Sequence, residues 1–448
     1  MDNRLKVKNK LSGTQFIIMG FLVIITIGTI LLMLPVSSKD GSFTPFLDSL
    51  FTAVSATCVT GLVVVDTFTH WTLFGQIVIL CLIQVGGLGF ITIGVMFSLI
   101  LRRRIGLKTR GLLQESVNTL KLGGIIKLTK RIVKGTFIIE GIGALILGIR
   151  FSIDYGPKGI YYGIFHAVSA FCNAGFDLMG FQGEYNSLCG YVSDPVVNIV
   201  IMSLIIVGGI GFIVWDDLMA NKFKFKKYTL HTKIVLVSTV FLICMGAALF
   251  YVIEYDNTMA GMNFGERILA SLFSSVTART AGFNTIDTGA ITGASKFITI
   301  VLMFIGGSPG STAGGVKTST IFVLLANLFS GISKGHGGSV FKRRFDDEAV
   351  HKASTVFLLN LLLGVMACIA ILAGNGLNLD DVLFEVFSAI GTVGMSTGIT
   401  RQLNIVSKVI IMLLMFCGRV GSLSFALSFV NKKKASPVYY PEEKVSIG

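Results

Sequence analysis

The chain has 448 residues, 52% of them hydrophobic and only 14% charged, and its mean hydropathy of +0.77 excludes an ordinary soluble globular domain. Lys and Arg outnumber Asp and Glu by 38 to 24, a formal charge of +14. These basic residues lie between apolar runs, so they report membrane topology and no nucleic-acid partner is expected. The seven cysteines are scattered without a CxxC pair, which argues against a disulfide framework or a cysteine metal site. The five histidines are equally dispersed, and no Ser/His/Asp or HExxH arrangement occurs, so no catalytic residue, resident cofactor or enzymatic activity is expected.

In chain order, Lys6, Lys8 and Lys10 precede an apolar run too long for a signal-peptide core, and no small-residue cleavage site follows. The first helix is therefore expected to stay. It is predicted over Thr14 to Val36, ended by Pro35. Pro45 to Ala56 is apolar but too short to cross a bilayer. Thr72 to Leu101 is long enough to cross and is stopped by Arg102-Arg103-Arg104. The unit reads helix, half-helix, glycine loop, helix.

That unit repeats. Ile132 to Ile153 crosses, Gly159 to Ala170 dips and Val196 to Val214 returns. Ile234 to Ile253 crosses, Gly265 to Thr277 dips and Phe297 to Leu325 returns. Ala353 to Ala373 crosses, Leu379 to Ala389 dips and Ile405 to Val430 returns. The expected fold is an all-α integral membrane protein of four tandem helix–pore-loop–helix units. It has eight crossings and four re-entrant pore helices, with pseudo-fourfold symmetry around one pore. Unit boundaries are expected at residues 1–104, 105–220, 221–333 and 334–448. A second landmark recurs in the returning helices as Gly86-Gly87, Gly208-Gly209, Gly306-Gly307 and Gly418.

Each short helix leads into a related loop. The four are Ser55-Ala56-Thr57-Cys58-Val59-Thr60-Gly61, Ser169-Ala170-Phe171-Cys172-Asn173-Ala174-Gly175, Val276-Thr277-Ala278-Arg279-Thr280-Ala281-Gly282 and Ser388-Ala389-Ile390-Gly391-Thr392-Val393-Gly394. A small residue stands five before the last glycine each time (Ala56, Ala170, Thr277, Ala389). An apolar one follows the glycine (Leu62, Phe176, Phe283, Met395). Glycines that merely pack helices are common in membranes. They explain Gly141, Gly143 or Gly246 well, but not four dips in one register.

The stretches Arg4 to Lys10, Arg102 to Lys134, Lys222 to Lys233, Lys334 to Lys352 and Lys432 to Lys444 hold most of the basic residues and fall on one side of an eight-crossing chain. The positive-inside rule assigns that side and both termini to the cytoplasm of a cell (plasma) membrane protein, so the dips enter from outside. Non-helical backbone at membrane depth needs protein or a water-filled cavity around it. Four glycine loops lining one pore meet that condition, and their carbonyls can replace the hydration shell of a monovalent cation. The pore helices point partly negative C-termini at the centre. With no carboxylate ring in the loops, divalent selectivity is not expected. A sodium- or proton-coupled secondary transporter is the alternative; it would be expected to use inverted repeats and intramembrane acids, and Glu140 is the lone clear acidic candidate inside a span.

Thr392-Val393-Gly394 reads like a potassium-channel filter, and over nearly its whole length the chain resembles the Trk/Ktr/HKT superfamily of potassium transporters. It looks most like the membrane subunit of a bacterial Ktr system. The resemblance implies potassium at Gly61, Gly175, Gly282 and Gly394. The candidate filter comprises Thr57, Cys58, Val59, Thr60 and Gly61; Cys172, Asn173, Ala174 and Gly175; Arg279, Thr280, Ala281 and Gly282; and Gly391, Thr392, Val393 and Gly394. Glycine in the first loop, where sodium-selective members tend to have serine, favours potassium. The resemblance thus implies potassium as the transported ion, with sodium a candidate activator. Arg279 is expected to anchor its pore helix rather than meet the ion.

The third returning helix is interrupted by Gly306, Gly307, Ser308, Pro309, Gly310, Ser311, Thr312, Ala313, Gly314 and Gly315. Such a density of glycine and proline cannot stay a regular helix. By resemblance this is the family's intramembrane gate loop, although a static kink is open to the residues alone. A phosphate-loop reading of Gly310 to Lys317 fails, because Val316 separates Gly315 from Lys317. Arg419 lies at the same depth in an apolar helix, where an arginine costs about 3 kcal/mol on insertion scales. It is expected to contact the gate loop. The resemblance also implies a homodimer in contact with membrane lipid, regulated by a cytoplasmic ring of nucleotide-binding subunits. The basic loops and the tail Tyr439 to Gly448 are the available docking surfaces.

Overall fold

The computed structural model describes residues 13–101, 105–117, 123–222, 224–332, 339–341, 343–429 and 443. The basic residues Arg4 to Lys10, Arg102 to Arg104, Lys121, Lys334, Lys342 and Lys432 to Lys434, and the tail Tyr439 to Gly448 except Glu443, lie outside the described residues.

Four uninterrupted helices are long and apolar enough to cross a membrane: Gly13–Met33, Ile125–Tyr155, Leu230–Ile253 and Asp347–Gly374. At 1.5 Å per residue even the first spans about 30 Å, the thickness of a hydrocarbon core. These outer helices leave residues such as Leu22, Ile27, Ile142, Leu145, Phe241 and Leu362 exposed on their surface, where acyl chains satisfy them. Each is followed by a shorter helix: Phe46–Thr57, Lys158–Phe171, Phe264–Thr277 and Leu379–Gly391. At about 20 Å these can only dip into the bilayer. Their last turns are almost wholly buried, from Ala53 to Thr57 in the first and from Phe384 to Gly391 in the fourth.

The returning helices begin at Leu73, Pro195, Gly293 and Ile405, each capped by a side chain. Thr72, Asp194, Thr292 and Asn404 accept hydrogen bonds from the first-turn amides, satisfying donors that the helix itself cannot. The fold is an all-α membrane bundle of four tandem outer helix–pore helix–returning helix units. The only strands among the described residues are the short pair Ser339–Val340 and Arg343–Arg344.

The returning helices correct the sequence-based expectation. Only the third was expected to break, yet all four do. The first splits into Leu73–Leu88 and Phe90–Ile100, and the second into Pro195–Gly209 and Phe212–Asn221, with bends of 93° and 96°. The third splits into Gly293–Phe304 and Thr318–Ile332, and the fourth into Ile405–Val420 and Ser422–Phe429. Gly89, Gly211 and Gly421 carry φ of 80°, 97° and 94° at three breaks. One residue in a conformation that only glycine adopts freely suffices to turn a helix, and it leaves the apolar pattern intact.

The landmark glycines have a packing reason. A Cβ on Gly86, Gly208 or Gly418 would overlap the carbonyl of Thr57, Phe171 or Ile390, each four residues before a loop glycine. The returning helix thus lies directly against the end of its own pore helix. In the third unit Gly306 meets the carbonyl of Gly314 in its own broken segment instead.

Candidate ion pathway

In every loop two positions adopt positive φ. Val59, Asn173, Thr280 and Thr392 have φ of 50°, 59°, 76° and 52°, and the glycine two residues on has 94°, 73°, 87° or 93°. A non-glycine residue there costs about 1–2 kcal/mol, so the surroundings must impose the conformation. They do so through the pore helices. The amides of Thr60, Ala174 and Val393 donate to the carbonyls of Ser55, Ser169 and Ser388, each at 2.8 Å. The hydroxyls of Ser55 and Ser388 accept from the amides of Gly61 and Gly394, both at 3.1 Å, whereas that of Ser169 donates to the Phe176 carbonyl at 2.7 Å. In the third unit Val276 occupies the serine position, and Thr277 does the bonding one residue later, donating to the Phe283 carbonyl at 2.5 Å.

The four loop glycines form a closed ring. A Cβ on Gly61 would overlap the carbonyl of Ala174, one on Gly175 that of Ala281, one on Gly282 that of Val393 and one on Gly394 that of Thr60. Each loop therefore abuts the next, and the fourth abuts the first. Beside the ring, the hydroxyls of Thr57, Thr60 and Thr392 are buried with no hydrogen-bond partner among the described residues.

A cavity of about 340 Å³ opens on one side of the ring, and all four glycines line it. Asp66, Asp177, Glu184 and Asp287 face it with a single basic residue, Arg401. Burial pushes the Asp177 carboxyl up to about 7, with Asp66 nearby adding to the rise. A cavity of about 830 Å³ lies beside the broken third helix. It is lined by Pro309, Gly310, Ser311, Lys317 and Arg419, among others, and its charged residues (Lys317, Lys352, Arg419) are all basic.

The segment between Phe304 and Thr318 touches the second and fourth units, and Arg419 of the fourth links it to the first. The amides of Ser308 and Thr312 donate to the carbonyls of Gly209 and Gly208, and the amide of Phe212 donates to the carbonyl of Gly310 at 2.8 Å. The Thr312 hydroxyl reaches the Phe171 carbonyl at 3.1 Å and Asn173 Oδ1 at 3.0 Å. A Cβ on Gly314 would overlap Thr392 Oγ1. Arg419 donates through Nη1 to the Thr312 carbonyl, and through Nη2 to the carbonyls of Gly86 at 2.5 Å and Gly87 at 2.8 Å. One guanidinium bridges three units, which its planar fork of donors permits. Lys317 Nζ folds the segment on itself by donating to the Ala313 carbonyl at 2.7 Å.

All four expected loop motifs come together, and Arg419 meets the segment Gly306–Gly315. Arg279 lines neither cavity; it is 8% exposed, and its Nε has no hydrogen-bond partner among the described residues. Sequence reasoning missed the serine hydroxyls, although Ser-Ala recurs at 55–56, 169–170 and 388–389. It missed the carboxylates above the ring because they lie beyond the glycines at unequal spacings, and Lys317 because only a phosphate-loop role was weighed.

Four repeated loops meeting in one ring at the centre of a membrane bundle, with a cavity on either side, define a single-chain membrane ion pathway. The family model described as TrkH, cation transport protein, matches residues 5–437. The chain is 40% identical over 451 residues to the potassium/sodium uptake protein NtpJ of Enterococcus hirae, covering 99% of each. It is 41% identical over 437 residues to the Ktr system potassium uptake protein B of Bacillus subtilis, covering 97% of this chain and 96% of that one. The crystal structure of the potassium transporter TrkH from Vibrio parahaemolyticus superposes with a TM-score of 0.71 at 18% identity, covering 96% of this chain and 87% of that one, a likeness of fold. The chain belongs to the TrkH family of cation transport proteins.

Proposed function

We propose that this protein takes up potassium through a filter built from the four loops, opened and closed by the segment Gly306–Gly315. The closed ring of Gly61, Gly175, Gly282 and Gly394 carries this proposal. It puts four stretches of unusual backbone around one axis, where carbonyls can replace a hydration shell. The unpartnered threonine hydroxyls beside it and the carboxylates above it suit a dehydrating cation. The bridged segment lies between the loops and the larger cavity, where a shift of a few ångströms would open or close the path.

The names of the relatives favour potassium as cargo, with sodium as a second cargo or an activator. A coupled carrier would be expected to use intramembrane acids on the ion path, whereas Glu140 lines neither cavity. The basic loops favour cytoplasmic termini in a plasma-membrane protein, with unit boundaries near residues 104, 220 and 333. This chain resembles one component of a named Ktr system, which supports a further partner component; a homodimer on a cytoplasmic regulatory subunit is the form proposed for that assembly.

The test is uptake of potassium and of sodium into proteoliposomes, for wild type and Gly282→Ser. The new Cβ would lie 2.5 Å from the Val393 carbonyl oxygen and 3.1 Å from Gly175 Cα, at a φ of 87°. That overlap must displace the Val393 carbonyl, and a loss of about 1.4 kcal/mol in differential binding of the two ions would lower the potassium-over-sodium preference tenfold. Potassium flux that follows an imposed proton gradient and ignores the substitution would establish a coupled carrier instead. Equal passage of sodium and potassium in the wild type would overturn the choice of cargo.

A further inference from the structure

Glu140, an acidic residue within the second outer helix, faces neither cavity, yet it is only 4% exposed. A carboxyl at that depth is costly unless its oxygens are bonded. Gln84 of the first returning helix supplies the bond, with Nε2 3.2 Å from Glu140 Oε2. The other two polar atoms converge on a filter residue. Cys172 Sγ lies 3.6 Å from Gln84 Oε1 and 3.9 Å from Glu140 Oε1. Gly87, on the same face of that helix as Gln84, packs on this sulfur too: a Cβ there would lie only 2.6 Å from it.

Cys172 stands three residues before Gly175, the position that Cys58, Arg279 and Gly391 hold in the other loops. Its backbone carries the turn into Asn173, whose left-handed φ of 59° must be imposed from outside. A thiol is a weak donor, so confinement between two anchored polar groups holds it better than either bond alone. We propose that Glu140 and Gln84 form a positioning pair behind the second loop, which fixes Cys172 and thereby sets discrimination between potassium and sodium. The pair acts through geometry and does not touch the ion. This rests on the four-loop filter proposed above.

The experiment measures the ratio of potassium to sodium uptake in proteoliposomes for Glu140→Ala, Gln84→Ala, the double variant and Glu140→Gln, with Gly282→Ser as the filter control. Removing either partner is expected to lower the ratio about fivefold, within the range for residues coupled by contact. The double variant should be no worse than the worse single one. Glu140→Gln keeps an acceptor for Gln84 and should stay within about twofold of wild type. Should Glu140→Ala fail to fold, judged by monodisperse elution, Gln84→Ala carries the same test. An unchanged ratio in the alanine variants while Gly282→Ser lowers it overturns the positioning pair alone. Equal damage from Glu140→Gln and Glu140→Ala also overturns it, because charge and not shape would then be at work. No response in any variant, Gly282→Ser included, removes the filter itself.

Discussion

Replacing Arg419 by alanine tests what keeps the segment Gly306–Gly315 in place. On one side the segment is joined to the second unit by backbone bonds at Gly208, Gly209 and Phe212, which no side-chain substitution removes. On the other side Arg419 latches the Thr312 carbonyl to the carbonyls of Gly86 and Gly87. A hydrogen bond from a charged donor contributes about 1.5–3 kcal/mol. Only one of the three bonds holds the segment itself, so its loss should weaken this arrangement, the closed state of the proposed gate, by about 2 kcal/mol. That shifts a closed-to-open ratio by roughly thirtyfold, since about 1.4 kcal/mol corresponds to tenfold. Lysine keeps the charge but has no planar fork to reach all three carbonyls, so Arg419→Lys should fall between. The assay is the initial rate of potassium uptake into proteoliposomes containing this chain without any regulatory protein. Basal flux should rise at least tenfold in Arg419→Ala and less in Arg419→Lys. A well-folded alanine variant whose basal flux changes less than twofold would refute the latch.

Two further outcomes are expected. Ser388→Ala removes the hydroxyl that accepts from the half-buried Gly394 amide at 3.1 Å, a bond that contributes about 0.5–1.5 kcal/mol, so the potassium-to-sodium uptake ratio should fall severalfold. Asp177 should confer a dependence on external pH. Burial raises its carboxyl to about 7, so the negative charge is present above that value and lost as pH falls through it. The potassium KM should therefore rise between pH 8 and pH 6, while Asp177→Asn shows the high KM at both; identical pH profiles for the two proteins would exclude Asp177 as the cause.

Much of the architecture is legible because the bilayer permits few solutions. A run such as Gly13–Met33 must cross, and a run such as Phe46–Thr57 cannot. The fourfold glycine register is also visible, since Gly61, Gly175, Gly282 and Gly394 leave room for a neighbouring backbone and any side chain would close it. Partners far apart in the chain are not legible. Nothing in the residues around Glu140 points to Gln84 or to the sulfur of Cys172, because the contact arises only when two units are laid side by side.

The breaks at Gly89, Gly211 and Gly421 show the same limit from another direction. An apolar run with one glycine reads as one crossing, since bilayer and protein interior both reward the same composition. Whether that glycine bends the helix depends on what packs against it, as the carbonyl of Pro309 does against Gly211. The four repeats, their membrane setting and the four glycine loops can be read from local composition and spacing. That the loops close into a ring, that Arg419 ties three units together and that Glu140 stands behind a loop cannot. Those are relations between distant residues, created by packing.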